Sequence, residues 1–176
     1  MPHVPPLHPS KHRREITTLT PQQRTDLRAL IDNYIATKDP VGEHLAAGHD
    51  DTLMIHDMGF LAWHAYFVGK LEHWLVMNDA QHFVPLPYWD PATPIPSELD
   101  NGNTSPNLPL PDALRPGAIA MIPDYMTLNS EVVPYHNAVH DGSGGLMPNP
   151  DTSPADPIFW PFHAFLIAVY EHWRYH

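Results

Sequence analysis

His136 and His140 stand four residues apart, and on a helix that spacing puts both rings on one face, about 5–6 Å apart at Cβ. Two imidazoles so placed can share one metal ion. No glutamate follows His136, so the HExxH pattern of zinc proteases is absent. His163 lies downstream on an apolar stripe, where it reads either as a buried core histidine or as a third ligand. Upstream, His56 and His64 form a second group, completed by His44 or His49. Two triads of imidazoles, each from a pair of helices, would place two metals face to face inside a bundle. Imidazole-only ligation suits copper, zinc or iron, and the lack of carboxylates in either group counts against calcium, magnesium and di-iron carboxylate sites. The chain has 14 histidines and no cysteine, so thiolate ligands, disulfides and thiol nucleophiles are excluded.

The elements that must hold these rings are helices. Thr20, Pro21 and Gln23 form a capping box with proline at the first helical position. Leu27, Leu30, Ile31, Tyr34 and Ile35 then repeat at helical spacing, which predicts a helix to about Thr37. Asp39-Pro40 restarts a short helix carrying His44 and ending near Gly48. A third helix is expected over about 57–76, with Phe60, His64, Phe67, Leu71 and Trp74 on one stripe. A fourth should begin near Val133-Pro134 and carry His136 and His140, and a last one should run over about 161–175 with His163. Residues 85–123 hold 10 of the 22 prolines, a density that few regular elements survive, so they read as long loops packed over the helices. The expected fold is mainly α, a four-helix bundle core holding a dinuclear site, with long Pro-rich loops.

At 176 residues the chain suits one domain. Residues 1–14 read as an extended N-terminal arm and 15–176 as a single domain. The formal net charge of −11 argues against a nucleic-acid partner, and no apolar stretch is long enough to span a membrane. Arg13-Arg14 lacks the apolar segment that a twin-arginine signal needs, so localisation defaults to the cytoplasm. Nothing in the sequence sets the oligomeric state.

Several motifs in order carry a family resemblance. His136-Asn137-Ala138-Val139-His140, Gly144-Gly145-Leu146-Met147, Ser153-Pro154 and Asp156-Pro157-Ile158-Phe159-Trp160 ahead of His163 resemble the second copper-binding half of the tyrosinases. Phe60-Leu61-Ala62-Trp63-His64, Glu72 and Leu86-Pro87-Tyr88-Trp89-Asp90 resemble the first half. The resemblance implies one copper ion on His44, His56 and His64 and another on His136, His140 and His163. His44 is preferred over His49 because Val41-Gly42-Glu43-His44 reproduces the family's Val-x-x-His. Departures are visible: Ala65 stands where Arg is common, Pro161-Phe162 replaces a Leu-His pair, and Ile167 replaces an Asp four residues after the third ligand. The His56-to-His64 spacing is one residue short of the family's usual one, and its thioether cysteine cannot exist here.

The resemblance further implies dioxygen as co-substrate and small phenols as substrates. Monophenols would be hydroxylated ortho to their oxygen, and o-diphenols oxidised to o-quinones. Asn137 matches the family's asparagine after the first ligand of the second copper, which orders a proton-accepting water with an upstream glutamate; Glu131 is the acidic candidate here. An apolar wall of Phe60, Phe67, Phe159 and Phe165 would exclude water. The alternatives are a catechol or o-aminophenol oxidase with the same ligands and a dioxygen-binding protein of the haemocyanin type. The last is disfavoured in this reading because the sequence stops three residues after Trp173, which would leave the site open.

Overall fold

A computed structural model describes residues 13–47 and 59–175. Their regular structure is helical: α1 (Pro21–Lys38), α2 (Pro40–Ala46), α3 (Phe60–Met77), α4 (Tyr125–Ser143) and α5 (Phe159–Tyr175), with short 3-10 turns between them. Among the described residues there is no β-strand, only isolated bridges pairing Glu15 with Tyr88 and Asn103 with Gly144. No described helix is long and apolar enough to cross a membrane.

The first two helices start as their sequences require. The backbone N–H of Gln23 donates to Thr20 Oγ1 (3.2 Å), and that of Thr20 donates to Gln23 Oε1 (2.9 Å). Leu27, Ile31 and Tyr34 are buried on the inner face of α1. Asp39 turns the chain in a left-handed conformation (φ 47°), and its side chain accepts from Gly42 N (3.1 Å), capping α2. The first residue of α3 follows Gly59, which offers no capping side chain. Instead the Tyr125 hydroxyl, from the first turn of α4, accepts from the N–H groups of Leu61 (3.1 Å) and Ala62 (3.4 Å). The helix that carries His64 is thus capped by the helix that carries His136.

α4 begins eight residues before the expected Val133. Asp124 caps it by accepting from Thr127 N (2.8 Å), and Leu128 and Val132 bury an apolar face ahead of Pro134. Pro134 lies inside the helix, where it removes one backbone hydrogen bond. Ser130, whose carbonyl loses that partner, and Pro134 itself are both exposed, so the defect falls on the solvent side. α5 begins at Phe159, two residues before expectation. Pro161 is still within its first turn, where the N–H has no intrahelical partner to lose.

α3 is the central helix, packed against α1, α4 and most extensively α5. Trp89 and Trp160 are the largest fully buried side chains. Trp160 meets Tyr34 edge-on at 5.3 Å and Phe67 at 5.1 Å, joining α1, α3 and α5. The Pro-rich segment packs over this core through Leu86, Trp89, Leu99, Leu114 and Ile119, all buried. The N-terminal segment is fastened too. Arg13 is buried and pairs with Glu72 of α3, with Glu171 of α5 at 3.7 Å, while Glu72 also accepts from Leu86 N (2.7 Å).

Candidate metal centre

Three helices deliver the imidazoles to one place. One ring nitrogen each from His64 (α3), His136 (α4) and His163 (α5) lies within 4.8 Å of the others, and all three side chains are buried. His64 and His163 stack nearly parallel with centroids 4.6 Å apart, and His136 Nε2 is 3.2 Å from His163 Nε2. His140, one turn after His136, has its ring 4.3 Å from that of His136 and 5.3 Å from that of His163. The group therefore joins one member of the first expected triad to all three of the second.

His44 is fully buried on α2 but stands outside the close group. Its ring lies 5.5 Å from Trp63, 5.8 Å from Phe67 and 5.8 Å from Phe159. Phe159 in turn rests on His163 at 3.9 Å. His56 and the runner-up His49 lie outside the described residues.

The other nitrogen of each clustered ring is anchored. Nδ1–H of His64 donates to the Phe60 carbonyl (2.8 Å), that of His163 to the Phe159 carbonyl (2.8 Å), and that of His140 to the Met147 carbonyl (2.7 Å). A carbonyl only accepts, so the proton must sit on Nδ1, which makes Nε2 the lone-pair nitrogen. His136 Nδ1 is bonded to Asn137 Oδ1 at 2.9 Å, which gives the same tautomer. Burial first, and the neighbouring imidazoles second, hold His136 and His163 well below the ordinary histidine pKa, so both rings are neutral. Neutral imidazoles with an anchored Nδ1 and convergent Nε2 are the form a divalent metal requires. The carbonyl of Phe159, one turn back on the same helix, does for His163 what an Asp at Ile167 would have done.

The aromatic wall is real but its membership differs. Phe60 lies 4.4 Å from His64 and 4.7 Å from His136, and Phe159 covers His163. Phe67 meets His44. Phe165 faces away, packing at 5.7 Å from Tyr88 and 6.4 Å from Tyr135. Phe162 takes its place, stacked within 16° of the His136 plane at 5.8 Å and 5.1 Å from His163. The Pro161-Phe162 departure thus supplies a wall residue that the sequence reading passed over.

Asn137 is exposed at the edge of the cluster. Glu131 is exposed on the same helix but six residues earlier, which sets it about 120° around the axis and about 9 Å along it from Asn137.

Comparison with known proteins agrees with the chemistry of the site. The family model described as the common central domain of tyrosinase matches residues 29–120 and 119–176. The chain belongs to the tyrosinase family. Among its curated relatives, Tyrosinase HcTyr1 of Hahella sp. (strain CCB-MM4) is 47% identical over 38 residues, 22% of this chain and 8% of that protein. Hemocyanin 1 of Megathura crenulata is 25% identical over an alignment of 210 residues, covering 92% of this chain and 6% of that protein. The matched stretches therefore cover only 8% and 6% of these two relatives' lengths. No solved structure matches it.

Proposed function

We propose that residues 15–176 form a dicopper domain that oxidises phenols with dioxygen, hydroxylating monophenols at the ortho position and converting o-diphenols to o-quinones. The observation that carries this reading is the buried imidazole cluster from α3, α4 and α5, with Nδ1 anchored on carbonyls and no carboxylate or thiolate in the group. His136, His140 and His163 would hold one copper ion, and His64 with His44 and His56 the other. Bound there, a copper pair would supply the two-electron chemistry that dioxygen needs to attack an aromatic ring.

The protein's own groups do the rest. Neutral imidazoles leave the charge of a bound cation uncompensated and keep the site electron-poor. Phe60, Phe159 and Phe162 enclose the rings in apolar surface that excludes water. A phenol has a pKa near 10 and must lose its proton before its oxygen can act as an anionic ligand. The Asn137 amide cannot accept that proton. With Oδ1 engaged by His136, its NH2 group is left to orient a water that can.

The test is reconstitution of the full chain with copper. About two copper ions per chain are expected, with turnover of both a monophenol and its diphenol. Among the single Ala variants, His44→Ala should lose copper and turnover while His49→Ala keeps both. Saturation at a single metal, or retention of copper by His44→Ala alone, would overturn the ligand set. The match to a haemocyanin over most of the chain favours dioxygen binding as the second reading; reversible dioxygen uptake with no turnover of either phenol would select it.

A further inference from the structure

His140 is oriented by a carbonyl that no helix holds. Met147, the acceptor, lies in the segment between α4 and α5, where its direction depends on how that segment is tied down. The tie is Asp156. Its carboxylate is fully buried. Oδ2 accepts from the backbone N–H of Leu146 (3.0 Å), the residue next to Met147, and from Asn103 Nδ2 (2.8 Å). Oδ1 accepts from Ile158 N (3.3 Å) at the approach to α5. No cation lies among these hydrogen-bond partners. A buried carboxylate held by neutral donors is costly unless its bonds are needed.

Gly145 lets the clip close. Gly144 and Gly145 both take left-handed conformations (φ 61° and 58°), and a Cβ on Gly145 would lie 2.4 Å from Asn103 Nδ2 and 2.8 Å from Asp156 Oδ2. Only a residue without a side chain allows the Asn103 amide and the Asp156 carboxylate to meet over it. Asn103 also pairs with Gly144 in the antiparallel bridge, and Thr104 N donates to Ser143 O (2.7 Å), joining the Pro-rich loop to the end of α4.

We propose that Asp156, with Asn103 and Gly145, is a positioning group for the metal centre: it fixes the Leu146–Met147 turn, whose carbonyl holds His140 with its proton on Nδ1. This rests on the reading of His140 as a copper ligand. The two oxygens have separable tasks, since Oδ1 serves the start of α5 locally and Oδ2 reaches across to Leu146. Asp156→Ser keeps a short acceptor for the Ile158 N–H but cannot reach Leu146, whereas Asp156→Asn keeps one amide oxygen for Leu146 and Asn103 and gives up only the long Ile158 bond, since its NH2 cannot accept.

Two measurements on the full chain test it. In the metal-free protein, nitrogen NMR of the His140 ring, assigned by comparison with His140→Gln, should show the proton on Nδ1. Asp156→Ser, Gly145→Ala and the milder Asn103→Ala should each shift it towards a mixture of tautomers, and Asp156→Asn should restore it. In competition titrations with a chelator, the same three variants should bind copper roughly 10–100-fold more weakly. Helix content by circular dichroism should stay at the wild-type level for Asn103→Ala, which keeps the test valid if a harsher variant misfolds. An unchanged tautomer in Asn103→Ala and Asp156→Ser overturns the proposal, and so does an Asp156→Asn protein as impaired as Asp156→Ser. A shifted tautomer with undiminished copper affinity upholds the clip and refutes copper ligation by His140.

Discussion

Each clustered imidazole has two nitrogens with different tasks, and only one task is written in the sequence. The histidines were legible because residue type and helical spacing set where their rings can go: His136 and His140 share a face, and His163 falls on the inner stripe of α5. Their anchors were not legible, because Phe60, Phe159 and Met147 contribute backbone carbonyls, which every residue carries. Asn137 is the one side-chain anchor, and its dual role makes a specific expectation. Asn137→Ala removes both the acceptor for His136 Nδ1–H and the amide proposed to orient a water. Monophenol hydroxylation should then fall, with the roughly 10²–10⁴-fold contribution of a positioned base as the ceiling, since Asn137 orients the accepting water and is not itself the base. Oxidation of the matching diphenol should fall much less, since a catechol is easier to oxidise. Paired assays at equal copper content check this. An equal fall in both rates would mean that Asn137 serves only to hold His136. Glu131→Gln should leave both rates near wild type, given its exposed place about 120° around α4 and about 9 Å along it from Asn137.

At the scale of elements, the ends of helices carried clear signals wherever a cap stood in the sequence next to a proline. α1 and α2 start where Thr20-Pro21 and Asp39-Pro40 place them. The same rule misled at α4, where Pro134 resembles a start but lies within the helix. The true start is Asp124, obscured because Asn129 and Ser130 are weak helix formers and the apolar face is short. Burial of Leu128, Val132 and Tyr135 overrides that local preference. The Asp124 carboxylate is held below its ordinary pKa, chiefly by the backbone N–H of Thr127. A carboxylate whose pKa is lower in the folded state stabilises the fold above its unfolded pKa, and that contribution is lost as the pH falls through the folded value. Asp124→Ala should therefore lower the melting temperature at neutral pH. The gap from wild type should narrow as the carboxylate protonates below its unfolded pKa near 3.9. Thermal melts across pH 2 to 7 test this, and a gap that is constant over the range would assign Asp124 a role other than charged cap.

For the molecule as a whole, the decisive feature is that the imidazoles come from helices distant in sequence. His64 on α3 is joined to His136 and His163 on α4 and α5 across the Pro-rich segment, which contributes buried anchors such as Trp89 and the Asn103 end of the clip. The mainly helical core was legible from periodicity; the packing of that segment was not, because loop contacts follow no repeat. In the fold the rings converge, with His136 and His163 nitrogens 3.2 Å apart in an apolar enclosure. The unfolded chain has no such convergence, so a metal that binds here favours the folded state. Mass action then stabilises the fold by up to about 2.7 kcal/mol when free copper is 100 times its dissociation constant, the full value holding when the 14 histidines of the unfolded chain take up no copper. For a chain of this size that corresponds to a rise of roughly 5–10 °C in melting temperature. The rise should grow with the logarithm of copper concentration, and His163→Ala should abolish most of it because that ring stacks on His64 and lies 3.2 Å from the His136 nitrogen, at the middle of the cluster. Calorimetry of wild type and variant over a series of buffered copper concentrations is the measurement. A wild-type melting temperature that does not respond to copper would mean that the cluster is a packed core and not a metal centre. An equal response in His163→Ala would place the binding at other histidines of the chain.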